Sequence, residues 1–301
     1  MAILVTGATG FVGRAVVARI VKEGERPRCL VRNAESAKKT FSAGQVDLVE
    51  GNILQAGTLD AAMQGVDILV DCSFMTANLK QHGAETYYNV NVTGTQNLVA
   101  AAKRAGVKRA VVMSGLGTKA DKPGTYMQGR FLAEEAFKES GMGWSILQPS
   151  VQFGPKSAFF KGLADLIRQV PLVVPVAGSG QELFQPIWIE DVVTCTMQQI
   201  HDPARDGHSY AVGGPDIFTY SQILDMLMNA LHVKKVKIPG PKPMIFLAAA
   251  LMEAVLPKPP ITRAALGLFA FPNTTEIDGV DQQFGFTPLS FTTYLAQHGV
   301  D

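Results

Sequence analysis

Thr6-Gly7-Ala8-Thr9-Gly10-Phe11-Val12-Gly13 sets three glycines three residues apart, between the apolar run Ile3–Thr6 and a helical pattern that starts at Val12. A chain that turns this sharply from strand to helix has few folds open to it. Only glycine tolerates both a left-handed turn and the close approach of the following helix. With 29 glycines in 301 residues, the bare spacing is expected by chance about 0.3 times, so its place between strand and helix carries the argument. Gly7 permits the turn, Gly10 lets backbone N–H groups approach a pyrophosphate at the helix N-terminus, and Gly13 allows close helix packing. Gly7, Thr9, Gly10, Phe11, Val12 and Gly13 are therefore the expected dinucleotide contacts of this loop.

The pattern downstream agrees. Arg28–Val31, Val46–Glu50, Ile68–Asp71, Ala110–Ser114 and Trp144–Gln148 read as strands, and Val12–Glu23, Leu59–Met63, Asn91–Ala105 and Tyr126–Ser140 read as helices. Continuous apolar runs suit strands buried on both faces, and strand–helix alternation implies a parallel, doubly wound α/β sheet. Beyond residue 155 prolines break the rhythm. We expect a nucleotide-binding domain over 1–154 and a smaller, less regular substrate or partner domain over 155–301. In the latter, Thr219 and Gln222 form a capping box that opens a helix over Tyr220–Leu231.

Composition excludes several classes. Lys and Arg number 27 and Asp and Glu 26, so the net charge of +1 does not suit a nucleic-acid partner, which demands many phosphate contacts. Split at residue 155, that near-neutral sum is 17 basic and 13 acidic residues, then 10 and 13. Cys29, Cys72 and Cys195 have no metal-ligand spacing, nor do the five histidines, so no metal site is expected. The N-terminus shows no leader, which points to a cytoplasmic location. Met244–Leu256 is the longest apolar run, at 13 residues interrupted by Glu253, too short to span a bilayer. It suits a core helix, a seat for a hydrophobic substrate, or a contact with a membrane-protein partner. Phe159, Phe160, Phe184 and Phe218 likewise suit either pocket lining or core.

At the end of the second strand stands Arg32, where an acidic residue would select NAD and a basic one accommodates the 2′-phosphate of NADP. Arg14, Lys38 and Lys39 are possible helpers, and NADP(H) is favoured over NAD(H). The glycine loop, this basic strand end, Val49-Glu50-Gly51-Asn52, Asn91-Val92-Thr93-Gly94-Thr95-Gln96-Asn97, Gly106-Val107-Lys108-Arg109, Phe184–Val192 and Gly213-Gly214-Pro215 resemble the atypical branch of the short-chain dehydrogenase/reductase superfamily. Within it the chain is similar to the nucleotide-binding accessory subunit of respiratory complex I and its bacterial relatives, and more distantly to NmrA-like proteins.

The resemblance implies a Rossmann fold and a set of roles. Asn52, with Ile53 beside it, would meet the adenine, and Cys72, Ser73 and Phe74 would line the cofactor backbone. Asn91 would brace the active-site strand, and Pro149 and Val151 would face the nicotinamide carboxamide. Ser114 and Tyr126 would hold the reacting oxygen. The superfamily's lysine four residues after the tyrosine is here Arg130, one helical turn on and on the same face. Arginine keeps the positive charge but cannot relay a proton as lysine can.

An alternative use of Arg130 is an ion pair with Glu134. Three functions compete: an NADP(H)-dependent oxidoreductase acting on a small apolar carbonyl, alcohol or quinone; a non-catalytic NADP(H)-binding structural subunit or redox sensor; and, less well supported, a nucleotide-sugar epimerase or dehydratase.

Overall fold

A computed structural model describes residues 1–120, 123–240, 242–256, 262–267, 269 and 272–300. In chain order the elements are β1 (Ile3–Thr6), α1 (Phe11–Lys22), β2 (Arg28–Val31), α2 (Ala34–Ala37), β3 (Asp47–Glu50), α3 (Asp60–Met63), β4 (Ile68–Asp71), α4 (Thr95–Ala105), β5 (Arg109–Met113), α5 (Tyr126–Lys138) and β6 (Gly143–Pro149). A π-helical segment, Asn89–Gly94, leads into α4. There follow β7 (Gln152–Phe153), α6 (Ala158–Gln169), β8 (Val173–Ala177), β9 (Leu183–Phe184), β10 (Ile187–Trp188), α7 (Ile189–His201), β11 (His208–Val212), β12 (Phe218–Thr219) and α8 (Tyr220–Ala230). The chain closes with β13 (Val236–Gly240), α9 (Lys242–Val255), α10 (Arg263–Gly267), α11 (Gly279–Phe284) and α12 (Phe291–His298).

The chain forms two compact units. The first comprises Met1–Met75, Gln81–Gln148 and Val192–Tyr210. Its sheet has the order β11-β6-β5-β4-β1-β2-β3, with β1 to β6 mutually parallel. This is the doubly wound order, and its direction of growth reverses between β1 and β4. Successive residues of a strand face opposite sides. Leu4, Leu30, Leu69 and Val112 therefore join a core with Leu59, Met63, Leu98 and Phe137, while Ile3, Val5 and Val70 join Val16, Val17 and Ile20 of α1 on the other face. Burial on both faces is why these strands read as unbroken apolar runs.

A cut at residue 154/155 separates Val192–Tyr210 from the unit it packs into. Val193, Met197 and Ile200 of α7 enter the α1-side core. The guanidinium of Arg109 at the start of β5 latches the segment, pairing with both carboxylate oxygens of Asp206 at 2.7 and 2.8 Å and donating to the carbonyls of Gln199 and Ile200.

The second unit, Thr76–Lys80, Pro149–Asp191 and Ala211–Asp301, has an aromatic core. Phe160 packs on Phe291 with centroids 4.7 Å apart and the rings tilted by 41°, and Phe153 packs on Phe291 and Tyr294. Phe160 and Phe184 are core residues, and Phe159 and Phe218 pack against that core. The capping box at Thr219 and Gln222 is present and opens α8. The apolar run 244–256 forms most of α9. It is not a core helix: Ala249 is buried, whereas Met244, Leu247, Leu251 and Val255 are exposed. No helix among the described residues is long and apolar enough to cross a membrane, and those residues contain no metal-binding cluster.

Candidate functional site

The glycine loop lies at the C-terminal end of β1, beside the C-terminal end of β4. Gly7 has φ +59°, and a Cβ there would lie 2.2 Å from the Cys72 carbonyl oxygen. A Cβ on Gly13 would lie 2.2 Å from the Gly7 carbonyl oxygen. The loop, the strand end and the first turn of α1 can approach this closely only without side chains. Gly10 donates its N–H to the Gly7 carbonyl at 2.8 Å and is the N-cap of α1, with no side chain capping the helix. No acidic residue stands in that first turn. The N–H groups of Phe11, Val12 and Gly13 thus open a 12-residue helix at the positive end of its dipole. A backbone cradle with an uncapped helix start fits a dinucleotide pyrophosphate.

Under the loop, Asp71 is fully buried. Its Oδ1 accepts from the Thr6 hydroxyl, the Ser73 N–H and the Ser73 hydroxyl, and its Oδ2 has no partner among the described residues. Sequence reasoning missed it because it sits inside the apolar run of β4. Ser73 is thereby fixed, and Cys72 donates its backbone N–H to Thr6. Burial, with Asp71 adjacent, pushes the Cys72 thiol above its usual range, and burial pushes Cys29 up to about 12. Neither is a nucleophilic thiolate.

Arg32 follows β2 and pairs with Glu85, both side chains being mostly exposed. Asn33 caps α2 through Ser36. Asn52 accepts the Leu54 N–H on its amide oxygen at 3.0 Å, which leaves one lone pair on that oxygen. The carbonyl of Ile53 accepts from Asn97. Asn91 is buried in the π-helical segment, where its side chain accepts the Met75 N–H and donates to the Met75 carbonyl. It clamps the chain just beyond Phe74.

Ser114 follows β5 and is buried. Its hydroxyl donates to Glu134 Oε1 at 2.5 Å, and Glu134 also accepts twice from Gln148 at 2.9 and 3.0 Å. The expected alternative partner of Arg130 is therefore engaged elsewhere. The Arg130 guanidinium instead packs against the Gly115 backbone, where a Cβ would collide with it, and lies 5.6 Å from the Tyr126 ring centroid and 5.9 Å from that of Phe74. Its Nε is buried with no hydrogen-bond partner among the described residues. Tyr126 opens α5 behind the Thr125 cap and meets Tyr87 edge-on at 5.4 Å. Sequence reasoning missed Glu134 as the partner of Ser114, because the two stand 20 residues apart on different elements; the four-residue spacing of Tyr126, Arg130 and Glu134 shows only that these three share a helix face.

Pro149 ends β6, and the second unit begins there. The Val151 N–H donates to Asn273 Oδ1 at 2.7 Å, and its carbonyl accepts from Ile187. Both Val151 main-chain groups are thus engaged within their own unit.

The NAD(P)H-binding family matches residues 7–153, the stretch that holds the three loop glycines and β2 to β7. The chain is 30% identical to an NAD(P)H azoreductase of Xenophilus azovorans over 76% of this chain and 73% of that one. It is 24% identical to the mitochondrial NADH dehydrogenase [ubiquinone] 1 alpha subcomplex subunit 9 of Arabidopsis thaliana, over 79% of this chain and 60% of that one. A crystal structure of a short-chain dehydrogenase/reductase superfamily protein from Agrobacterium tumefaciens, with bound NAD, shares the fold with a TM-score of 0.70 at 18% identity, covering 99% of this chain and 96% of that one. With its glycine cradle at the switch point of a doubly wound sheet of Rossmann type, the chain belongs to the NAD(P)H-binding family.

Proposed function

We propose that the chain is an NADP(H)-dependent oxidoreductase acting on a small apolar carbonyl, alcohol or quinone. The observation that carries this reading is the Arg130 guanidinium held 5.6 Å from the Tyr126 ring, with Glu134 turned away to Ser114 and Gln148. Arg130 supplies a permanent cation not shared with the nearest carboxylate on its helix, and the Tyr126 hydroxyl beside it is a group that can donate a hydrogen bond, and a proton, to a substrate oxygen. Ser114, its own hydrogen committed to Glu134, presents lone pairs that orient a substrate hydroxyl. The backbone cradle and α1 hold the pyrophosphate, and Arg32 holds a 2′-phosphate. When bound, the nicotinamide supplies or accepts the hydride. The name of the Xenophilus relative, an NAD(P)H azoreductase, supports reductive chemistry.

The test is NADPH oxidation against a panel of carbonyls and quinones. Tyr126→Phe should lower turnover by about 100-fold or more with NADPH binding retained, and undiminished turnover would remove the tyrosine from the reaction.

A second reading, a non-catalytic NADP(H)-holding subunit or redox sensor, is favoured by arginine in the lysine position and by the Arabidopsis relative, a complex I subunit by name. It predicts nucleotide retained through purification and no turnover with any panel member.

A further inference from the structure

We infer that the β13–α9 segment is an in-plane docking surface for an anionic phospholipid bilayer. Along α9 the exposed Met244, Leu247, Leu251 and Val255 follow a spacing of three, four and four residues. At about 100° per residue they fall within a stripe roughly 80° wide. Val255 is 78% exposed and Met244 68%, so nothing in the described chain covers that stripe. The flank of the helix at Ile245 and Ala249 is its anchor: Ala249 is buried, and Ile245 packs on the aromatic core of its unit and fills the space above Gly240. The strand that leads into the helix continues the character. β13 pairs in register with β8, Val236 opposite Val173 and Ile238 opposite Pro175, and all four residues are exposed. An apolar surface of this extent on a well-packed unit marks an interaction site.

Charge decides which occupant it fits. Six of the ten lysines and arginines beyond residue 155 lie between 234 and 263, and that interval contains one acid, Glu253. Glu253 is held by Arg263 at 2.8 Å, and Arg263 in turn covers the Phe246 ring. Lys234 is exposed. Lys235 donates to the carbonyls of Ile167 and Val170, and Lys80 to the carbonyl of Leu256. A carbonyl leaves the charge of a lysine in place, so, with Lys237 paired to Asp225 at 2.6 Å and Arg263 to Glu253, it is Lys80, Lys234 and Lys235 that bring positive charge without a carboxylate partner among the described residues to this segment, although residues 155–301 as a whole carry more acids than bases. Apolar residues on one helix face with a cationic surround are what an interfacial helix needs to enter a headgroup layer of negative lipids. A protein partner would require no such excess of one sign.

The experiment is flotation of the purified full chain with phosphatidylcholine vesicles, with and without phosphatidylglycerol. The chain should float with the phosphatidylglycerol vesicles and much less with phosphatidylcholine alone, and added salt should weaken the binding. Leu247→Glu combined with Leu251→Glu should reduce flotation by at least about tenfold. Both side chains are exposed, so helical circular dichroism and NADPH binding should be unchanged. Lys234→Glu should reduce flotation more weakly. Absence of flotation, or equal flotation of parent and double variant, overturns the inference. So does a dimer of the parent in lipid-free solution that the double variant dissolves, because the stripe would then join two copies of this chain.

Discussion

Ser114 gives its hydroxyl hydrogen to Glu134, a carboxylate 20 residues on that lies 2% exposed between β5, α5 and β6. The same carboxylate holds the Gln148 amide, so one buried acid sets the orientation of two side chains at the C-terminal ends of adjacent strands.

Removing that acid should be costly. Glu134→Ala leaves the Ser114 hydroxyl and the Gln148 amide without an acceptor, and an unsatisfied buried donor costs about 1–3 kcal/mol. Urea denaturation should show a loss of that order. Glu134→Gln, which keeps an acceptor oxygen, should lose less, and equal losses would show that packing rather than hydrogen bonding holds the cluster.

Arg32 and Glu85 form an exposed ion pair of the kind worth about 0–1 kcal/mol, so a phosphate dianion can displace Glu85 at little cost. Arg32→Ala should weaken NADPH by about tenfold or more, and NADH much less, since a charge-assisted hydrogen bond contributes about 1.5–3 kcal/mol. Glu85→Ala should act in the opposite direction and tighten NADPH alone. Titration of both nucleotides against the two variants measures this, and parallel changes for NADH and NADPH would remove Arg32 from the 2′-phosphate.

Gly13→Ala places a methyl group 2.2 Å from the Gly7 carbonyl oxygen, a backbone atom that cannot swing aside. The first turn of α1 must move off the loop. Nucleotide affinity should fall by more than about tenfold, and thermal unfolding should shift downward. Gly24→Ala makes a useful control for the missing Cβ: nothing lies within 4 Å of that position, although its φ of +88° carries its own strain. It should lower stability while leaving nucleotide affinity near the parent value.

The pH dependence of stability should carry a signature of Asp191. Burial raises its carboxyl from an ordinary 3.8 to about 6, against the opposing hydrogen bond from the Leu289 N–H, and nearby Glu190 raises it further. Between these values the folded state holds a proton that the unfolded state has released. The contribution of this group to stability is therefore greatest below about pH 4 and declines as pH rises through about 6. Asp191→Asn should flatten that slope in denaturation midpoints measured from pH 4 to 7. A variant with the parent's slope would place its origin elsewhere.

Much of the first unit could be read without coordinates. All six strands expected over the first half appear within a residue or so of their expected limits, because strands buried in the sheet announce themselves as short apolar runs whatever surrounds them, and the more exposed β3 still carries Leu48 and Val49. The four-residue helix α2 was not visible, being too short to show a period. β11 was not visible either, since His208-Ser209-Tyr210 is mostly exposed or half-buried and joins the sheet from a distant part of the chain. Ser114, Tyr126 and Arg130 were named by the resemblance, whose roles fall on a strand end and a helix turn of this chain, but their partners could not be named.

By itself the sequence determined the doubly wound sheet, the glycine cradle and the face of α5 that bears Tyr126 and Arg130, because each depends on periodicity or spacing within a few residues. Only tertiary structure decided that Glu134 holds Ser114 instead of Arg130, that Glu85 meets Arg32 from 53 residues away, that Val192–Tyr210 packs into the first unit, and that the apolar run of α9 faces outward. Hydrophobicity tells a residue to leave water, but not which surface it will cover. The partner of a charge depends on side chains brought together by the whole fold, and no local pattern encodes that meeting.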